Sequence, residues 1–91
     1  MYYILFYSVC DDYIERRAVY RDEHLAYATA AQQRGELLLA GALADPADGA
    51  VLVFRADDAS VPEEFARNDV YVKNGVVTSY TVRPWTVVIG G

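Results

Sequence analysis

Ninety-one residues give one small domain, expected to span 1–91 as a single unit with no room for a second core. Eight Lys and Arg stand against 13 Asp and Glu, a net charge of -5, which argues against a nucleic-acid or anionic-membrane partner because both need a concentrated basic footprint. Hydrophobic residues make up 54% of the chain, more than a small polar monomer requires, yet no run approaches the ~20 apolar residues of a membrane span.

In chain order, Met1 to Val9 lacks the charge and length of a secretory leader, and Tyr2–Tyr7 is dense in the aromatic and β-branched residues that fit a buried strand. Cys10 follows. As the sole cysteine it forms no intrachain disulfide, and it suits a reducing, cytoplasmic setting. The spacing then predicts a helix from about Asp12 to Arg34, with Gly35 as its C-terminal cap and Asp12 with Glu15 as a capping box. Ile14, Ala18, Arg21, Leu25, Ala28 and Gln32 fall on one stripe, expected to face the core, and Arg17 at its shoulder is expected in solvent.

Leu37–Leu43 and Val51–Phe54 read as strands joined by the turn chemistry of Asp45-Pro46-Ala47-Asp48-Gly49, an antiparallel hairpin. Gly41, inside the first of them, suggests a bulge or a close approach of backbone or ligand. Ser60-Val61-Pro62-Glu63 opens a shorter helix ending near Arg67 or Asn68. Gly75 then allows a turn into a last strand from Val76 towards Ile89, and Pro84 assigns that strand to a sheet edge or a bulge.

Strand, helix, strand, strand, helix, strand is the order of two split βαβ units. It predicts an α+β, ferredoxin-like βαββαβ sandwich, a four-stranded antiparallel sheet with both helices on one face. Tyr2, Ile4 and Phe6 point one way and Tyr3, Leu5 and Tyr7 the other, so both faces are apolar and helices cover only one. A homodimer through the open face is the simplest cover.

His24 is the only histidine, so any imidazole chemistry must use it. Arg21 precedes it by three residues, a neighbour on the helix surface. Asp69 follows the second helix on the same side of the sheet and is expected within hydrogen-bond reach of His24, where it can orient the ring for proton transfer. A structural ion pair tying two helices together is the competing reading. Arg21 offers a planar fork for a substrate carboxylate or phenolate, or else bonds Asp69 or a C-terminal carbonyl, and Tyr71 is either a hydrogen-bond donor on a cleft wall or packing surface. Trp85 is expected at a dimer seam or pocket rim. One His and one Cys do not supply the three or four ligands of a transition-metal site, and no Gly-rich phosphate loop or nucleophile elbow is present, so no metal or cofactor is expected.

Several of these residues together resemble the YciI-like family of the dimeric α+β barrel superfamily. They are Arg21-Asp22-Glu23-His24-Leu25, Gly35, Ala40-Gly41, Asn68-Asp69-Val70-Tyr71-Val72, Gly75-Val76 and Arg83-Pro84-Trp85, spread over nearly the whole chain. The chain departs from the family at Val70 and Ala42, where proline is usual. The resemblance implies a dimer and a cleft near a His–Asp pair, here His24 and Asp69. Assigned chemistries in the family include dehydrochlorination of hydroxylated aromatics, and the wider superfamily holds muconolactone isomerases and metal-free monooxygenases. Two functions stand open. One is a cofactor-independent lyase, isomerase or hydrolase acting on a small cyclic or aromatic compound. The other is a non-catalytic dimeric binding or accessory protein.

Overall fold

A computed structural model describes residues 1–91. Strand β1 (Tyr2–Val9) is followed by helix α1 (Tyr13–Gln33), strands β2 (Leu37–Ala42) and β3 (Gly49–Arg55), helices α2 (Ser60–Asn68) and α3 (Val70–Lys73), and strand β4 (Val77–Trp85). The sheet order is β2-β3-β1-β4 with every neighbouring pair antiparallel, the ferredoxin-like topology. The split βαβ order fixes this: right-handed crossovers bring β3 and β4 to opposite sides of β1 and leave β2 and β4 at the edges.

Alternation along β1 sets the layers. Tyr3, Leu5 and Tyr7 are buried beneath the helices, with Leu5 registered between Leu52 of β3 and Val82 of β4. Phe54, Ala28, Ala31, Phe65 and Ala66 complete that core. Phe65 meets Phe54 edge-on at 5.2 Å and stacks with Tyr27 at 4.6 Å. Burying each large apolar side chain here contributes about 1.5–3 kcal/mol. On the other face Ile4, Phe6, Val51, Val53, Leu39 and Trp85 form an apolar sheet surface that no element of this chain covers. Leu39 is 71% exposed, Trp85 43% and Phe6 40%.

Pro84 lies in β4 at the sheet edge, where its missing N–H costs no ladder bond on the solvent side. The strand stops at Trp85, short of Ile89, because Trp85 already pairs with Tyr2, the first residue of β1. The bulge in β2 falls at Leu38 and not at Gly41, which pairs regularly with Val51 and has open space at its Cα.

Helix α1 is rotated from the predicted phase. Ile14, Arg21 and Leu25 are exposed, while Tyr13, Arg17, Tyr20, His24, Tyr27, Ala28 and Ala31 turn inward at helical spacing. Its end is as expected: with Gly35 at φ 81°, the Gly35 and Glu36 N–H groups donate to the Gln32 and Ala31 carbonyls. Its start is not, because the Asp12 side chain makes no cap bond. In α2 the cap shifts two residues upstream, with Asp58 accepting from the Ser60 N–H and hydroxyl, and the Ser60–Glu63 box does not form.

Candidate functional site

The α2–α3 junction is the element that sequence periodicity did not show. Helix α2 ends at Asn68, and Asp69 adopts an extended backbone before α3 begins. Asp69 Oδ1 accepts from the Tyr71 N–H at 3.0 Å and so caps α3. This places a fully buried carboxylate beneath α1.

Three donors converge on it. His24 Nδ1 lies 2.8 Å from Asp69 Oδ1, the Tyr7 hydroxyl donates to Oδ2 at 2.7 Å, and the Tyr71 N–H completes the set. No buried polar side-chain atom in the chain is left without a partner. An ionised carboxylate only accepts, so His24 carries its Nδ1 proton towards Asp69, and Nε2 has no partner within the protein. The Tyr71 ring stacks on His24, with centroids 3.8 Å apart and planes 6° from parallel. Hydrogen bond and stack together fix both the position and the tilt of the imidazole.

The phenols around this carboxylate are held protonated. Tyr7 is pushed far above the usual tyrosine range, first by burial and then by the Asp69 charge and hydrogen bond. Burial also raises Tyr27 and Tyr71, with Asp69 adding to both. In Tyr71 the Arg21 and Arg17 guanidiniums oppose that rise.

Above the network lies a cavity of about 350 Å³, walled by α1, the Ala40–Ala42 end of β2, Ala50 and Leu52 of β3, and Tyr7 and Tyr71. His24, Arg21 and Tyr71 all line it, and Asp69 lies behind His24. Trp85 is on the outer sheet face and takes no part in the wall. Besides Tyr7, two further polar lining residues were missed from the sequence. Arg17, expected in solvent, lines the cavity with its guanidinium 5.0 Å from the centre of the Tyr13 ring, and Tyr13 is buried beside it. The Tyr13–Arg17–Tyr20–His24 spacing is the signal that shows this face. The salt bridge to Asp69 considered for Arg21 does not form, since the ion pairs of the chain are His24–Asp69, Arg34–Glu36 and Arg67–Glu64.

A ferredoxin-like domain with a buried carboxylate–imidazole pair at the wall of a cavity is the class that fold and geometry define. The YCII-related domain pattern matches residues 1–86, and the chain belongs to that family. An uncharacterized protein of Haemophilus influenzae is 29% identical over 94 residues, covering 93% of this chain and 96% of the relative. Among solved structures, 5-chloro-2-hydroxyhydroquinone dehydrochlorinase from Burkholderia phenoliruptrix, in complex with 2,5-dihydroxybenzoquinone, is similar with a TM-score of 0.79. That likeness covers 94% of each chain at 18% identity, and it establishes the shared fold. No helix is long and apolar enough to cross a membrane.

Proposed function

We propose that this protein is a cofactor-independent acid–base enzyme of lyase, isomerase or hydrolase type that moves a proton on a small cyclic or aromatic substrate. The observation that carries this reading is the 2.8 Å contact between the sole imidazole and a fully buried carboxylate, at the wall of a ring-sized cavity. Asp69 holds the Nδ1–H tautomer, so Nε2 accepts a proton from the substrate, and the Asp69 charge stabilises the imidazolium that results. In an elimination the C–H electron pair forms the new double bond and the leaving group departs with its own bonding pair. The proton then passes from His24 to solvent. In an isomerisation it returns to a neighbouring carbon. Arg21 binds a carboxylate or phenolate of the substrate, and Tyr71 supplies the wall that keeps the imidazole planar against it. The fold shared with a dehydrochlorinase supports chemistry of this kind.

The reading includes a homodimer, with the uncovered apolar sheet face meeting the same face of a second copy, in the cytoplasm. The test is turnover of a panel of hydroxylated chloroaromatics and lactones, followed by chloride release and by NMR. His24→Ala abolishes turnover, and Asp69→Asn lowers it by about 10²-fold or more. Turnover that survives His24→Ala overturns the reading. Binding of panel members without any turnover establishes the accessory-protein alternative instead.

A further inference from the structure

The charged groups that line the cavity have one sign. Arg17 and Arg21 both line it, neither makes a salt bridge, and the one carboxylate nearby, Asp69, is buried and already engaged by three donors. This is unusual within a chain of net charge -5. Arg17 is not merely passing through to solvent, for its guanidinium lies over the Tyr13 ring and donates to the Tyr13 hydroxyl at 3.4 Å. That contact is long and leaves most of the guanidinium fork unused.

We propose that Arg17 and Arg21 form a carboxylate-recognition station, so that the ligand is a ring compound bearing a carboxylate apart from the atom that faces His24. Arg17, Arg21 and His24 sit at i, i+4 and i+7 on one helix, so the station lies roughly 5–10 Å along the axis from the imidazole. That span matches the width of one substituted ring, and the cavity volume of about 350 Å³ accommodates it. A carboxylate is favoured over a neutral hydroxyl because its two coplanar oxygens match a guanidinium fork, and it stays charged through the neutral range. The wall itself registers the positive potential, since Arg21 and Arg17 both favour the ionised form of the Tyr71 phenol against its burial. The proposal takes from the reading above only that this cavity is the site; it requires no turnover.

Benzoate and its neutral counterpart benzamide are the probes, titrated against the protein while the ring signals of the sole histidine are followed by NMR. Benzoate binds about tenfold or more tightly than benzamide. Arg17→Gln and Arg21→Gln each reduce that preference, and the double variant removes it, read as the ratio of the two affinities. Arg17→Lys keeps the charge and retains part of the preference, which separates recognition from loss of fold. Equal binding of the two probes, a preference that survives the double variant, or binding of neither overturns the proposal. Selectivity without turnover in the panel assay leaves the station standing and removes the enzymatic reading, and turnover without selectivity does the reverse.

Discussion

The Tyr7 hydroxyl lies 2.7 Å from Oδ2 of Asp69, so a central strand holds the carboxylate on the side opposite His24. The imidazole pair is thus one end of a three-residue network running through the core. Each carboxylate oxygen has a side-chain donor, and the oxygen facing His24 has a backbone donor as well.

Tyr7→Phe removes the donor on Oδ2 and leaves a buried carboxylate oxygen unsatisfied. The expected cost is about 1–3 kcal/mol, read as a lower urea midpoint with an unchanged slope. The His24 ring signals broaden in the same variant, because the carboxylate that orients the ring is then held through Oδ1 alone. A midpoint equal to that of the native chain would show that Oδ2 has found water.

Alkaline pH provides a second measurement. Tyr7, Tyr27 and Tyr71 are all raised above the ordinary tyrosine value in the folded state. Above pH of about 10 the unfolded chain loses phenolic protons that the folded chain retains, so stability present below that pH falls as pH rises. Urea midpoints measured from pH 8 to 11 should be level at first and then decline. The decline is shallower in Tyr7→Phe, whose buried ring has no proton to lose.

Two glycines separate backbone need from space. Gly35 sits at φ 81° in the α1 cap, and Gly35→Ala costs about 1 kcal/mol. Gly41 has no such dihedral and nothing within 4 Å of an added Cβ, so Gly41→Ala is neutral or slightly stabilising. Thermal melts of the two variants, run side by side, distinguish them.

The uncovered sheet face gives an assembly prediction. Light scattering at micromolar concentration should give the mass of a dimer. Phe6→Glu, at the centre of the β1 outer face, should give a folded monomer with native circular dichroism. A native chain that runs as a monomer would leave that apolar face for a different partner.

Topology was legible because strand alternation, the Asp45–Gly49 turn and the Gly35 cap each act through local chemistry. The phase of α1 was not. Counting apolar residues selects Ile14 and Leu25, whereas the inward face includes Tyr13, Arg17 and Tyr27, whose stems and rings bury while their polar ends reach the cavity or a partner. His24 and Asp69 are paired by the family resemblance, with the element order agreeing, since α1, which carries His24, and α2, which Asp69 follows, lie on one sheet face. Helix α3 escaped notice because Val70 and Val72 are weak helix formers and the helix is only four residues long. Tyr7 escaped as well, since nothing in a run of aromatic residues marks which hydroxyl meets a carboxylate.

Asp69 seats α3 through one oxygen and also fixes the imidazole, so shape and charge meet in a single side chain. They are nonetheless separable by one atom. Asparagine at this position keeps an oxygen for the Tyr71 N–H and His24, and its amide donates to a Tyr7 hydroxyl turned from donor to acceptor. The contacts to Oδ1 persist and the anion is gone, while the second amide N–H and the Tyr7 proton need other acceptors. A descendant carrying that exchange would keep the same outline and the same cavity, yet lack the counter-charge for an imidazolium. Under the proposed function, a catalyst and a strongly weakened carrier of the same ligand differ by one substitution in this architecture, and overall shape does not distinguish them.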